Sequence, residues 1–315
     1  MNIKILDAST LGEGVDLKQL ESFGKVEIFD TTTPAEIYDR IRDAEVLILN
    51  KVKITEAVLA SAETLKLICV AATGYDNIDI AACKARGIAV CNVAGYSTHS
   101  VAQVTLSLVL ALSIHLKVYN RFVTDGSYTE SGVANRLSPV YHELCGKTWG
   151  IVGLGNIGKQ VARVAEALGC KVLANKRTPE AGYNCVALDT LLTKADIITV
   201  HTPLTDATRA LIGEAELAML KPNAILVNAA RGAVLDEAAV AKALQNGKLG
   251  AFGCDVYSTE PFGKEHPFYA IKDLDNVALT PHMAWGALEA RQRCLAEIHA
   301  NITAFLNGEK RSRIV

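Results

Sequence analysis

Short apolar runs alternate with longer segments of mixed character along residues 1–92. A short apolar run bounded by turn residues is typical of a buried strand, and the intervening segments are long enough for helices. The runs predict strands at 3–7, 26–29, 46–50, 67–71 and 89–92, with helices at 15–23, 34–42, 55–61 and 80–86. Because strands that alternate with helices form parallel sheets, this part of the chain predicts a five-stranded, flavodoxin-like layer.

The second half of the chain shows the same alternation. A long helix is predicted at 101–119, and the polar stretch 124–146 is predicted to be irregular, either a loop or an arm that packs on another subunit. From Thr148 onward, strands are predicted at 149–152, 171–174, 197–201, 224–228, 251–256 and 276–279, and helices at 156–168, 188–193, 214–219, 237–246 and 286–307. The pattern predicts an α/β protein whose second sheet is a doubly wound parallel sheet of Rossmann type.

Composition narrows the class of protein. A chain of 315 residues is long for one hydrophobic core and suits two domains. Lysine and arginine number 32 against 34 aspartates and glutamates, which argues against nucleic-acid binding through bulk charge. The apolar stretch at 101–116 is interrupted by polar residues, so no membrane span is predicted. The eight cysteines form no Cys-x-x-Cys pair, so we expect no metal site and a reducing cytoplasm.

A glycine-rich turn stands between a predicted strand and a predicted helix. Gly153, Gly155 and Gly158 have the G-x-G-x-x-G spacing, with Asn156 and Ile157 inside the motif. The first glycine permits a tight turn, the second lets the backbone approach a pyrophosphate, and the third allows close packing of helix on strand. The helix N-terminus offers N–H groups to phosphates. The turn therefore predicts a dinucleotide site.

The end of the next strand bears on which dinucleotide is bound. NAD sites usually carry an acidic residue about 20 residues after the glycine turn, where it binds the ribose hydroxyls. Here the position is Asn175, and the cations Lys176 and Arg177 follow it. An acidic side chain would repel a 2′-phosphate, whereas cations pair with it. The sequence therefore favours NADP over NAD as the cofactor.

Three polar side chains follow later strands of the second sheet. Arg231, Glu260 and His282 come after the strands predicted at 224–228, 251–256 and 276–279. Ligands of open α/β sheets bind outside the carboxyl ends of the strands, so these side chains are expected to converge there. A histidine held by a carboxylate suits acid–base catalysis, and an arginine suits a substrate carboxylate.

With these motifs the chain resembles the D-isomer-specific 2-hydroxyacid dehydrogenase family almost from end to end. The resemblance implies a cofactor domain inserted into a substrate domain, with residues 101–284 forming the former and residues 1–100 with 285–315 the latter. Residues 93–98 and 284–285 further resemble the glycerate dehydrogenase (hydroxypyruvate reductase) members. The shared motifs lie at 74–79, 153–158, 201–205, 228–237, 255–261 and 280–285.

The resemblance also implies roles for individual residues. Arg231 would bind the substrate carboxylate and polarise the carbonyl, His282 would be the general acid or base, and Glu260 would hold His282. The carboxylate of Asp255 would bind the nicotinamide amide. The other residues implied to contact cofactor are Gly153, Gly155, Asn156, Ile157, Gly158, Asn175, Lys176, Arg177, His201, Thr202, Pro203, Ala229 and His282, and those implied to contact substrate are Thr73, Gly74, Tyr96, Arg231, His282 and Trp285.

The implied activity is hydride transfer between NAD(P)H and a small 2-oxoacid, with hydroxypyruvate or glyoxylate as substrate. Two alternatives stay open. The first is a D-2-hydroxyacid dehydrogenase for larger branched or aryl 2-oxoacids, and the second is an NAD(H)-sensing, corepressor-like binding protein, since fold alone does not fix function. The family resemblance implies a homodimer, and we expect no nucleic acid, membrane or metal as partner.

Overall fold

The computed structural model describes residues 1–315, and the chain divides into two compact units. The first unit comprises Met1–Ser97 and Gly286–Val315, and the second is the continuous segment Thr98–Trp285. The chain therefore leaves the first unit once and returns to it near its end.

Eleven strands and eleven α-helices make up the two units. The strands are β1 (Asn2–Ile5), β2 (Lys25–Ile28), β3 (Val46–Leu49), β4 (Leu67–Val70), β5 (Ala89–Cys91), β6 (Thr148–Val152), β7 (Lys171–Asn175), β8 (Ile197–Val200), β9 (Ile225–Asn228), β10 (Ala251–Cys254) and β11 (Val277–Leu279). The helices are α1 (Ile37–Arg40), α2 (Glu56–Leu59), α3 (Ile80–Ala85), α4 (Thr98–Ser113), α5 (Leu116–Thr124), α6 (Ser127–Ser131), α7 (Asn156–Ala167), α8 (Leu188–Lys194), α9 (Glu214–Ala218), α10 (Glu237–Gln245) and α11 (Leu288–Leu306). Short 3-10 helices occupy Ala8–Leu11, Leu17–Phe23, Gly232–Val234 and Pro267–Ala270.

The first unit is built on a five-stranded sheet in the order β2-β1-β3-β4-β5. All of its strand pairs are parallel. The central strands β3 and β4 are buried along their whole length, as apolar strands covered on both faces should be. The predicted five-stranded, flavodoxin-like layer is confirmed, since this order is the flavodoxin order.

The second unit is built on a six-stranded parallel sheet in the order β7-β6-β8-β9-β10-β11. The chain runs from β6 to β7 on one side and then places β8 on the other side of β6. This reversal of strand order opens a crevice at the carboxyl ends of β6 and β8, where such sheets bind ligands. The prediction of a doubly wound parallel sheet is confirmed.

The region after the first unit differs from its prediction. The single helix predicted at 101–119 is wrong, because His115 adopts a left-handed conformation with φ 53° and divides it into α4 and α5, which are bent by 67°. The stretch 124–146 was expected to be irregular throughout, yet it contains the short helix α6. The segment predicted as a helix at 15–23 forms a 3-10 helix at Leu17–Phe23.

No single helix is both long and apolar enough to cross a membrane. The bent pair α4 and α5 meets the criterion of length and composition only when its two helices are counted together.

Candidate active site

The glycine turn connects β6 to α7, and each of its glycines has a distinct environment. Gly153 has φ 98°, and a Cβ there would lie 2.6 Å from the backbone nitrogen of Thr202. A Cβ on Gly158 would lie 2.2 Å from the carbonyl oxygen of Gly153, so helix and strand pack closely. No atom lies within 4 Å of a Cβ built on Gly155. This open space at the start of a helix fits a dinucleotide pyrophosphate.

Asn156 and Ile157 form the first turn of α7, and helix N-termini carry backbone N–H groups without an intrahelical partner. Thr202 and Pro203 follow β8, directly beside the glycine turn. His201 precedes them, and both of its ring nitrogens are buried without a hydrogen-bond partner. Burial lowers the pKa of His201 to about 3, so the ring is neutral at physiological pH.

The end of β7 carries the residues predicted to select the cofactor. The side-chain amide of Asn175 donates to the carbonyl of Val186 at 3.1 Å, and the backbone carbonyl of Asn175 accepts from the backbone N–H of Gly153 at 3.0 Å. The ammonium of Lys176 forms an ion pair with Glu180. Arg177 is exposed. The predicted cations are therefore present at this strand end, and one of them has an acidic partner that the sequence had not indicated.

The turn after β9 carries Arg231. Asn228 braces this turn from both sides, because its amide nitrogen donates to the carbonyl of Arg231 at 2.9 Å and its amide oxygen accepts from the backbone N–H of Ala230 at 3.0 Å. Ala229, a predicted cofactor contact, lies inside the turn. The Arg231 guanidinium donates to the carbonyl of Ala230 at 2.8 Å. The backbone turn is thus held independently of the arginine side chain.

The loop after β10 packs directly against this turn. A Cβ on Gly232 would lie only 2.0 Å from the carbonyl carbon of Tyr257, so the two backbones touch where only glycine fits. Further along the loop, Glu260 accepts a hydrogen bond from the backbone N–H of Tyr257 through Oε1 at 2.9 Å. The adjacent strands β9 and β10 therefore bring the segments that carry Arg231 and Glu260 together.

His282 lies in the turn after β11, and its Nδ1 is 2.6 Å from Oε2 of Glu260. Because a carboxylate accepts, Nδ1–H donates, and Nε2 is then the ring nitrogen that can transfer a proton. The backbone of His282 is left-handed, with φ 52°. The side chains of His282 and Glu260 are 21% and 30% exposed, so the pair lies at the surface of its unit, within reach of a ligand.

Asp255 holds the His282 turn in place. Its carboxylate accepts from the hydroxyl of Thr280 at 2.6 Å and from the backbone N–H groups of Met283 and Ala284 at 2.9 Å each. Asp255 is almost completely buried, and burial raises its pKa. The side chain predicted to contact the nicotinamide is therefore also the support of the turn that carries the candidate acid.

The predicted substrate residues of the first unit lie at the carboxyl ends of β4 and β5. The hydroxyl of Thr73 donates to the carbonyl of Val93 at 3.0 Å, and the carbonyl of Thr73 accepts from the amide of Asn92 at 2.7 Å. Gly74 continues the Thr73 turn. Tyr96 is buried, and its carbonyl accepts from Arg293 of α11 at 3.0 Å.

The sequence analysis did not predict an acidic residue that holds a loop of the first unit in place. Asp7 follows β1, and its carboxylate accepts from the backbone N–H groups of Asn50, Lys51 and Val52 at 2.6 to 3.2 Å. The amide of Asn77 donates to the carbonyls of Asn50 and Val52. The indication available in the sequence was an aspartate at the end of a predicted strand, because a carboxylate buried there needs hydrogen-bond donors.

The model of the family described as D-isomer specific 2-hydroxyacid dehydrogenase, NAD binding domain, matches residues 106–284. The chain belongs to this family. It is therefore a nicotinamide-dependent D-2-hydroxyacid dehydrogenase of the α/β class, in agreement with the activity that the motifs predicted.

Relatives of this dehydrogenase include enzymes named for small substrates. It is 40% identical over 283 residues to a glycerate dehydrogenase of Methylorubrum extorquens, covering 90% of this chain and 89% of the relative. It is 38% identical to a glyoxylate reductase of Thermococcus litoralis, covering 93% of this chain and 91% of the relative. Among solved structures, an acyclic imino acid reductase (Bsp5) in complex with NADPH and D-Arg superposes with a TM-score of 0.88 at 28% identity, covering all of both chains.

Proposed function

We propose that this dehydrogenase reduces hydroxypyruvate or glyoxylate with NAD(P)H. The observation that carries the catalytic assignment is the contact of His282 Nδ1 with Glu260 at 2.6 Å, which orients Nε2 for proton transfer. The choice of small 2-oxoacids is supported by the names of the relatives that are 40% and 38% identical.

The proposed mechanism assigns separate tasks to the side chains of the second unit. A nicotinamide cofactor held in this crevice would supply a hydride to the carbonyl carbon of the substrate. His282 Nε2–H gives its proton to the carbonyl oxygen as the C–O double bond becomes single. The guanidinium of Arg231 binds the substrate carboxylate and offsets the negative charge that develops on that oxygen. In the oxidative direction the neutral imidazole takes the proton back.

Further residues are proposed to contact the ligands. In the first unit, the Thr73–Gly74 backbone would bind the substrate carboxylate, with Tyr96 nearby. Trp285, half-buried at the end of the second unit, would line the substrate pocket. The proposed cofactor contacts are Gly153, Gly155, Asn156, Ile157, Gly158, Asn175, Lys176, Arg177, His201, Thr202, Pro203, Ala229, Asp255 and His282.

NADP(H) is proposed as the favoured cofactor. The support is the neutral Asn175 at the end of β7, where a carboxylate would repel a 2′-phosphate, together with the neighbouring cations Lys176 and Arg177. The orphaned ring nitrogens of His201 lie at the end of β8, beside the glycine turn, and fit a polar ligand in this crevice.

A homodimer in the cytoplasm completes the proposal. The stretch that begins with α5 exposes apolar side chains, including Val123, Val133, Leu137 and Val140, to an extent uncommon on a monomer. A second copy would cover them. All eight cysteines are free thiols, which supports a reducing compartment.

A steady-state panel of 2-oxoacids tests the proposed activity. Hydroxypyruvate, glyoxylate, 2-oxoisocaproate and phenylpyruvate are each assayed with NADH and with NADPH. We expect the highest kcat/KM with hydroxypyruvate or glyoxylate, and higher values with NADPH. A maximum with the branched or aryl substrate would instead assign a dehydrogenase of larger 2-oxoacids. Nucleotide binding without turnover of any substrate would identify a binding protein.

A further inference from the structure

Two lysines share one carboxylate beside the glycine turn. Lys159, in the first turn of α7, forms an ion pair with Oε1 of Glu180, and Lys176, directly after β7, forms one with Oε2. Each of the three side chains is about one-third exposed. The two lysines lower the pKa of Glu180, so it is a carboxylate at neutral pH. The cluster therefore has one positive charge more than it has negative charges.

The position of this cluster matters because β7 ends against the turn that fits a dinucleotide. The carbonyl of Asn175 accepts from the N–H of Gly153 at 3.0 Å, and the residue after Asn175 is Lys176. At this strand end, NAD sites place a carboxylate for the ribose hydroxyls, and NADP sites place cations for the 2′-phosphate. This chain has cations and a carboxylate at the end of β7, because Glu180, which follows Lys176 in the chain, forms an ion pair with it.

The side chain of Asn175 takes part in a hydrogen bond within the fold. Its amide nitrogen donates to the carbonyl of Val186, so this end of its side chain is held towards the neighbouring segment. The charge that a bound nucleotide meets at the end of β7 is therefore set by Lys159, Lys176 and Glu180 more than by Asn175.

We propose that Glu180 determines cofactor specificity by competing with the 2′-phosphate of NADP(H) for Lys159 and Lys176. The inference rests on the proposed use of NADP(H) by this site. In the unliganded protein the carboxylate pairs with both lysines and offsets one of their two positive charges. A 2′-phosphate takes over these ammonium groups and breaks both ion pairs with Glu180, whereas NAD(H), which has no such phosphate, leaves them intact. Glu180 thus weakens the binding of NADP(H), so that NAD(H) can still compete for the site.

The binding of two mononucleotides distinguishes a role of Glu180 in cofactor specificity from that of an ion pair with no effect on the ligand. Adenosine 2′,5′-bisphosphate carries the 2′-phosphate and 5′-AMP lacks it, and calorimetry gives a Kd for each without any turnover. For Glu180→Gln we expect the bisphosphate to bind about tenfold more tightly, because the carboxylate no longer competes with the phosphate for the two lysines. We expect 5′-AMP to bind within about twofold of wild type. For Lys159→Met and Lys176→Met we expect the bisphosphate to bind about tenfold more weakly.

Glu214→Gln is the matched control, since it breaks the exposed pair of Glu214 with Lys242 elsewhere in the same unit. It should change neither Kd. The proposal is overturned if Glu180→Gln leaves the Kd of the bisphosphate unchanged, or shifts the Kd of both nucleotides equally. It is also overturned if neither lysine substitution weakens the bisphosphate. Failure of 2-oxoacid turnover in the substrate panel would refute the proposed activity and leave these binding constants interpretable.

Discussion

His282 and Glu260 form a pair whose geometry leaves Nε2 of His282 as the ring nitrogen available for the proposed proton transfer. Glu260 uses Oε2 for His282 and Oε1 for the N–H of Tyr257, so the carboxylate is fixed at both oxygens. The buried carboxylate of Asp255 fixes the backbone after His282. At the scale of single residues, the candidate acid is positioned by two acidic side chains with different tasks, one on its ring and one on its backbone.

Replacement of the candidate acid, His282→Asn, should abolish efficient reduction. Asparagine tolerates the left-handed backbone at this position, so folding is preserved. We expect kcat for reduction to fall by about 10²- to 10⁴-fold, the usual contribution of a general acid. A kcat within a few-fold of wild type would disprove the assignment.

His201 should make the protein less stable in acid. Burial lowers its pKa to about 3 from the ordinary 6.5, so between these values the unfolded chain binds a proton that the folded chain does not. Stability therefore decreases as pH falls below 6.5, by roughly 1.4 kcal/mol per pH unit for one group. Urea denaturation without cofactor measures the unfolding free energy at each pH. Between pH 7 and pH 5 this free energy should fall less in His201→Asn than in the wild type, by roughly 2 kcal/mol.

The exposed His142 supplies the control for this measurement. His142→Asn should keep the wild-type difference in unfolding free energy between pH 7 and pH 5. An unchanged difference in His201→Asn would show that the buried ring does not control acid stability.

At the scale of elements, the turns after β9, β10 and β11 support one another. Gly232 touches the backbone of Tyr257 and Ser258, and the buried carboxylate of Glu237, at the start of α10, accepts from the N–H of Ser258 at 2.9 Å. The same carboxylate lies 2.9 Å from Nε2 of His266, with both side chains less than a tenth exposed. The loop that carries Glu260 is thus also anchored by contacts that do not involve the Glu260 carboxylate.

Adding one methyl group at this contact should separate the turns that carry Arg231 and Glu260. In Gly232→Ala the new Cβ would lie 2.0 Å from Tyr257 and 2.2 Å from Ser258, so the backbones must move apart. We expect a loss of about 1–3 kcal/mol in unfolding free energy, typical of overpacking, together with a fall in kcat. Gly263→Ala is the control, because no atom lies within 4 Å of its Cβ. Equal behaviour of the two variants would contradict the argument.

At the scale of the whole molecule, the second unit leaves apolar surface uncovered. Leu137 and Val140 are 76% and 70% exposed, and Leu116 and Val123 of α5 are about half exposed. Burying such side chains against a second copy would remove apolar area from water, which is the main driving force of association. The surface therefore supports the proposed homodimer.

The double substitution Leu137→Lys with Val140→Lys should dissociate the dimer. Two charges placed in an apolar interface would be desolvated without partners, which is costly. Sedimentation equilibrium should give twice the mass of one chain for wild type and the mass of one chain for the variant. Leu306→Lys, at the half-exposed end of α11 in the first unit, should leave the dimer intact. A monomeric wild type, or a dimeric variant, would refute this interface.

Much of the fold was predictable because its causes are local. The apolar runs predicted all eleven strands to within about two residues at each end, since a strand buried on both faces needs a continuous apolar run. The glycine turn was predictable because Gly153 and Gly158 occupy positions where a Cβ would collide with backbone. The break at His115 was not predictable, because a histidine in the left-handed region has no distinctive local pattern.

The sequence by itself determined the two sheets, the glycine turn and the residue types at the strand ends, since these follow from hydrophobic period and backbone dihedral preference. Only the tertiary structure decided which of those residues meet. It paired His282 with Glu260, gave Asp255 to the backbone of Met283 and Ala284, and placed Glu180 between two lysines from separate elements. Apart from the pair of Lys176 with Glu180, which is local, these contacts join residues far apart in the chain, and they depend on strand order and packing rather than on local pattern.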